Sequence, residues 1–467
     1  MKLKAFINCV ILASVVSACH SGDSKSSIQP IKTEIPPRPE GTTDLIGFAS
    51  EPIETVGVGF VGLGMRGSDA VIRYLSVPGS KIVALCDIEK NRVNEVQKEL
   101  NEKVPDLTPA TYSGEMESWK GLCENPDVDL VYIATDWKNH APIALYAMEQ
   151  GKHVAIEVPA ALTLEEIWSL VNKAEEKRLH CMMLENCVYD DFEMNTLNMA
   201  QKGLFGEVLH VEGSYIHNLS DFWDEYWNDW RMDYNSKNRG DVYPTHGTGP
   251  ACQLLDIHRG DKMNTLVAMD TKSVGAKDWL EKHRGERPEE FANGDHTMTM
   301  IRTENGKTIH IQHDVVNPRP YTRMYQLTGT KGFANKYPNQ GYAFEPEQFA
   351  NDSLPSYENL SAHRYLSDEQ KDELTKLYQH PILKEVGGIA KQVGGHGGMD
   401  YIMDYRLIYC LNNGLPLDMD VYDLAEWCSL APLSAISIEN GSAPVEVPDF
   451  TRGSWNKQKG YRHAFKQ

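Results

Sequence analysis

The feature that most constrains this chain is a strand-like run ending in a glycine triplet. Glu54 to Val61 alternates Val, Gly and Phe and runs straight into Gly62-Leu63-Gly64-Met65-Arg66-Gly67. Beyond it, Ala70, Val71, Tyr74 and Leu75 fall on one face of a helix. A G-x-G-x-x-G turn between strand and helix suits a pyrophosphate. The first glycine permits the tight turn, the second lets backbone amides approach, and the third lets the helix pack on the strand. The helix N-terminus then faces the phosphates. A second strand, Lys81 to Asp87, ends in an acid 20 residues after Gly67. A carboxylate there accepts the hydroxyls of the adenine ribose and repels a 2′-phosphate. The turn therefore predicts NAD as cofactor, with Gly62, Gly64, Gly67 and Asp87 among the residues that hold it.

The pattern continues as alternating units. Val128 to Thr135, Lys152 to Val158 and His180 to Leu184 read as strands, with helices running through Met148 and from Leu164 to Lys177. Such alternation implies a doubly wound parallel sheet, with ligands beyond the carboxyl ends of its strands. That places Trp137, His140, Glu157 and Asn186 at the mouth. From about Glu207 the character changes. Leu209 to His217, Thr297 to Arg302, Thr308 to Asp314 and Tyr325 to Gly329 read as strands, and a Glu304-Asn305-Gly306 turn joins the middle two. At 467 residues the chain is long enough for two cores. The expected fold class is α/β. An N-terminal Rossmann doubly wound parallel sheet over 51–185 is followed by an α+β domain with a mostly antiparallel open sheet over 186–467.

The first residues form a leader. Lys2 and Lys4 precede an apolar run from Ala5 to Ala18, too short to cross a bilayer but suited to a signal peptide. It ends in Val16-Ser17-Ala18-Cys19, which resembles a bacterial lipobox. The expectation is a signal peptide over 1–18, a diacylated Cys19, and a flexible tether over 19–50 rich in Ser, Pro and Gly. The chain would then be exported and anchored to a bacterial membrane by lipid alone. Without a twin arginine the chain would leave unfolded and take up NAD afterwards. A net charge of −20 argues against nucleic acid or an anionic bilayer as partner. The seven cysteines beyond Cys19 are scattered with no C-x-x-C pair, which predicts buried thiols and neither a disulfide framework nor a metal site.

Several further segments follow in order: Trp137-Lys138-Asn139-His140, Leu184-Glu185-Asn186, Tyr215-Ile216-His217, Trp230-Arg231, Tyr243-Pro244-Thr245-His246-Gly247, Arg319-Pro320-Tyr321 and Gly395-His396-Gly397-Gly398-Met399-Asp400. With the glycine turn and a strand-end Glu157-Val158-Pro159, they resemble the Gfo/Idh/MocA oxidoreductases. Within these the chain looks like glycoside hydrolase family 109, the NAD-dependent α-N-acetylgalactosaminidases. The resemblance implies NAD contacts at Met65, Arg66, Asp87, Trp137, Lys138, Asn139, His140, Glu157, Val158 and Asn186. It implies sugar contacts at Tyr215, Arg231, Tyr243, Pro244, Thr245, His246 and Tyr321, and a glycan ending in N-acetylgalactosamine as substrate. A homo-oligomer is compatible with it.

One departure matters. Many sugar and inositol dehydrogenases of the wider group have Glu-Lys-Pro, whose lysine assists proton transfer, where this chain has Val158. The resembled enzymes oxidise carbon 3 of the sugar, remove the acidified hydrogen on carbon 2, eliminate the carbon 1 substituent, add water and return the hydride. Such a scheme regenerates NAD and needs no pair of carboxylates across the glycosidic bond. His246 is the expected group at the reacting hydroxyl, because imidazole titrates near neutral pH, with Tyr243 and Tyr321 as donors or acid/base partners. The aromatic run Asp221 to Arg231 suits sugar faces or a structural plug equally. Two competing readings are a net NAD-dependent sugar dehydrogenase and a non-catalytic sugar-binding lipoprotein.

Overall fold

A computed structural model describes residues 29–349 and 360–466. The expected leader and lipid site at Cys19 lie outside the described residues. The first sheet is built from β1 (Val56–Val61), β2 (Ser80–Asp87), β3 (Ala110–Ser113), β4 (Leu130–Ile133), β5 (His153–Ile156) and β6 (Cys181–Met183). All pair in parallel, in the order β3-β2-β1-β4-β5-β6. β1, β4, β5 and β6 are buried along their whole length, as strands covered on both faces must be. The covering helices are α1 (Met65–Tyr74), α2 (Lys90–Lys103), α3 (Trp119–Glu124), α4 (Trp137–Glu149) and α5 (Leu164–Lys177). α5 shows why its bounds are readable locally. Thr163 accepts from the Glu166 amide at 3.1 Å at its start, and Arg178 turns left-handed at its end.

The second sheet comprises β7 (Val208–Ile216), β8 (Met263–Asp270), β9 (Thr297–Thr303), β10 (Thr308–Asp314), β11 (Tyr325–Gly329), β12 (Gly332–Asn335), β13 (Gly341–Phe344) and β14 (Val445–Glu446). Its order is β13-β12-β11-β7-β10-β9-β8-β14, and only β7 and β10 pair in parallel. β9 alternates strictly, with Thr297, Thr299, Ile301 and Thr303 inward and Met298, Met300 and Arg302 outward, the mark of a sheet with one covered face. Around it run α6 (Asp191–Gln201), α7 (Trp230–Lys237), α8 (Thr245–Leu254), α9 (Gly275–Arg284), α10 (Asp368–Leu377), α11 (Pro381–Val393), α12 (Met399–Asn413) and α13 (Val421–Glu439). α13 is buried nearly all round because it lies between α5 of the first unit and β8 of the second, so one hydrophobic core runs through both.

The tether expectation is corrected in its second half. From about residue 30 the segment lies on the body. Ile31 exchanges backbone hydrogen bonds with Pro444 and Glu446, Arg38 pairs with buried Glu175 at 3.0 Å, and the Leu45 amide donates to the Tyr422 hydroxyl at 2.9 Å. Its Pro, Ser and Gly content supplies no local period, and distant partners order it instead. The seven cysteines among the described residues are buried and unpaired, as expected. Within the described residues no helix is long and apolar enough to cross a membrane.

Candidate active site

The glycine turn makes a cradle. Gly62 has φ +89°, and a Cβ there would meet the Ala134 carbonyl oxygen at 2.5 Å; one on Gly67 would meet the Gly62 oxygen at 1.8 Å. At Gly64 the nearest atom is 3.8 Å away, so the backbone stands open toward a groove. That groove, about 400 Å³, is lined by Gly62 to Arg66, Asp87, Arg92, Asp136, Asn139 and, from the second unit, Tyr226, Trp227 and Trp230. Asp87 accepts from the Leu63 amide at 2.6 Å and the Glu89 amide at 2.8 Å, so it holds the turn as well as lining the groove. The residues fit a bound dinucleotide.

Behind the turn lies a charge network. Arg66 donates to Glu157 at 3.0 Å and to Asp400 at 2.9 Å, Arg73 donates to Asp404 at 2.6 Å, and Asn186 donates to Asp400 at 2.5 Å. Burial alone would push the Asp400 carboxyl up. Its His396 hydrogen bond and the Arg66 and Arg73 charges outweigh that and hold it far below the usual carboxylate range. His396, in a left-handed turn at φ +46° among four positive-φ glycines, bonds Asp400 at 2.9 Å. The glycine-rich segment thus locks the second unit onto the cofactor side.

The residues expected at the sugar converge through a close approach of backbones. A Cβ on Gly213 of β7 would meet the Gly247 oxygen at 2.5 Å, so only two glycines let α8 press on β7 here. This contact sets His246 against Tyr215, ring centroids 5.1 Å apart, and Tyr243 against Tyr215 at 4.7 Å. Arg231 lies 4.8 Å over the Tyr243 ring and 5.1 Å over Trp137, and Trp137 stacks on Tyr243 at 5.6 Å and 23°. Tyr321 is 43% exposed at the rim, 4.8 Å from the His217 ring. His246 Nδ1 lies 2.7 Å from Glu185 Oε1, and its Nε2 lies 3.4 Å from the Tyr243 hydroxyl. Burial alone would raise the Glu185 carboxyl. The adjoining His246 ring and its hydrogen bond outweigh it and hold the carboxyl below its ordinary value. Burial drives the Tyr243 phenol well up.

Not every expected residue reaches the groove. His140 is buried with its ring nitrogens against the Pro159 and Thr135 carbonyls, and the Lys138 side chain is 67% exposed on Asp136. Thr245 is fully buried beside Glu185, and the Pro244 carbonyl accepts from Gly247 and Thr248 to start α8. These two precede His246 at the start of α8. Trp137 reaches the Tyr243 cluster, Glu157 and Asn186 join the Arg66 and Asp400 network, and Val158 is buried. Trp223 of the aromatic run is a structural plug, fully buried against Trp279 and Phe291. Sequence reading missed Glu185, Cys187, His217 and Arg323. Leu184-Glu185-Asn186 pointed at the first, since a strand-end acid before a 3₁₀ turn sits at the mouth of the sheet.

The chain is similar to known proteins along nearly its whole length. Residues 56–185 match the model for the oxidoreductase family NAD-binding Rossmann fold, and residues 189–457 match that for the glycosyl hydrolase 109 C-terminal domain. Glycosyl hydrolase family 109 protein 1 of Phocaeicola vulgatus is 63% identical over 438 residues, 94% of this chain and 93% of that protein. The family 109 protein of Porphyromonas gingivalis is 59% identical over 466 residues, covering 99% of each. Among solved structures, levoglucosan dehydrogenase in complex with NADH superposes at TM-score 0.63 and 20% identity, over 85% of this chain and 100% of that one.

Proposed function

Because the chain belongs to glycosyl hydrolase family 109 and carries an NAD-binding Rossmann domain, we propose that it hydrolyses terminal α-N-acetylgalactosamine residues by redox, elimination and addition. The observation that carries this reading is the joining of two sites through one ring. Trp137, next to Asp136 of the cofactor groove, stacks on Tyr243 of the aromatic cluster that holds His246. The chemistry NAD supplies when bound is reversible oxidation of a sugar hydroxyl, which acidifies the neighbouring C–H and leaves no net redox change.

The chain's own residues handle position and protons. Glu185 is ionised and accepts from His246 Nδ1–H, which leaves Nε2 as the nitrogen that takes and returns a proton at the sugar. Tyr243 stands beside that nitrogen and stays a protonated donor because burial raises its phenol. Arg231 caps the cluster, and Tyr321 offers a hydroxyl at the open rim. Val158 has no proton to give, so proton transfer falls to the second unit.

The test is an aryl α-N-acetylgalactosaminide turned over in D₂O. Expected are free phenol, no lasting absorbance of reduced cofactor, and deuterium at carbon 2 of the released sugar. Unlabelled product would count against elimination, and stoichiometric reduced cofactor from free sugar would select a net dehydrogenase. For the leader, the same reading has the protein exported and lipidated at Cys19. Fatty-acid labelling that persists in Cys19→Ser would overturn that.

A further inference from the structure

The His246 cluster holds a second guanidinium that the reading above does not use. Arg323 lies two residues beyond Tyr321 on the stretch leading into β11. Its Nη1 is 3.2 Å from Cys187 Sγ and 3.6 Å from Met399 Sδ, both weak acceptors, and its Nε is buried with no partner. The buried arginines elsewhere differ: Arg73, Arg259 and Arg406 each meet an aspartate, at 2.6, 2.7 and 2.7 Å. The acids near Arg323 are engaged, since Lys336 holds Asp190 at 3.1 Å and Glu193 at 2.7 Å. Among the described residues no carboxylate pairs with Arg323. Partly burying a guanidinium with no carboxylate bonded to it is costly, so a fold that keeps one there has a use for its donors.

Its position says what it faces. The guanidinium lies 5.5 Å over the Tyr321 ring, and the Cys187 sulfur it touches lies within 4.8 Å of ligand atoms of Glu185 and His246. That trio has the residue types of a metal site, but a cation there would sit against the Arg323 charge. An oxygen acceptor is what the arrangement lacks. Guanidinium bonds to carbonyl and carboxylate oxygens are far stronger than those to sulfur.

We infer that Arg323 binds an sp² oxygen acceptor carried by the sugar, an acetamido carbonyl or a carboxylate, and thereby decides which sugars the site takes. The inference rests on a sugar lying between Tyr321 and His246. Three aryl glycosides test it on the NAD-loaded enzyme: the N-acetylgalactosaminide, the galacturonide and the unsubstituted galactoside. Wild type should favour one of the first two, which identifies the acceptor. Arg323→Gln should lower kcat/KM on that substrate by about 30-fold or more, through KM, while leaving the galactoside within about twofold. Arg323→Lys should recover part of the loss. Equal falls on all three substrates, no fall at all, or a wild-type preference for the plain galactoside would overturn the inference. If wild type cleaves none of them, the glycosidase reading fails, and calorimetry still decides on Arg323. Free N-acetylgalactosamine or galacturonate should then bind wild type more tightly than Arg323→Gln, and equal binding would sink the assignment.

Discussion

The cofactor side and the sugar side of this site are built on opposite electrostatic terms. Around the glycine turn, Arg66 and Arg73 pair with Glu157, Asp400 and Asp404. Around His246, Arg231 and Arg323 have no carboxylate among the described residues, and His217 and His313 are kept neutral. Burial first, then the Arg231 charge, pushes these two imidazoles down to about 4 and about 3. A network already paired holds its shape with or without ligand, which suits a cofactor that stays through turnover. Donors left without a carboxylate can take one up from whatever enters, which suits a substrate that comes and goes.

The largest effect that sharpens this contrast is on proton transfer. His246→Ala should cut kcat by about 10²- to 10⁴-fold while NAD stays bound. Near-normal turnover of the aryl glycoside would remove His246 from that role. On the cofactor side, Asp400→Asn strips one of the two counter-charges from Arg66 and weakens the lock on α12. A loss of about 3–5 kcal/mol in denaturant-derived stability, with NAD lost on gel filtration, is expected. Retention of both would break the comparison.

A pH test follows from the neutral histidines. Their folded values lie below the ordinary 6.5, so an unfolded chain takes up protons that the folded one refuses as pH falls. The stability these histidines contribute should be full above about pH 6.5 and drop toward pH 4, by up to about 1.4 kcal/mol per unit for each. His153 and His180 in the first unit, held near about 4 and about 3 by burial, add to the same fall. His313→Gln should flatten the curve of melting temperature against pH; an unchanged slope would show that His313 is protonated when folded. The smallest effect belongs to the rim: Tyr321→Phe removes one half-exposed hydroxyl and should lower kcat/KM by about tenfold or less.

Local chemistry made much of this legible. A glycine triplet can be read alone because φ +89° at Gly62 and the close approach at Gly67 depend on neighbours a few residues away. The α5 bounds follow from Thr163 and Arg178, and the β9 face follows from strict alternation. The tether was misjudged because composition reports only the absence of a local period. Its order comes from Glu175, Tyr422 and Pro444, all more than a hundred residues away.

The amino-acid sequence by itself determined the two-unit architecture and the NAD turn, and the rings of His246, Tyr243 and Tyr215 that it singled out meet in the fold. Only the tertiary structure decided that Glu185 orients His246 across 61 positions, and that Asp400 meets Arg66 across 334. It also decided that Arg323, half-buried, has sulfur where Arg73, Arg259 and Arg406 have aspartate. The reason is physical. Backbone preference and hydrophobic period act over a few residues, whereas a charge is answered by whatever the fold brings within about 4 Å, and no run of sequence records which acid that will be.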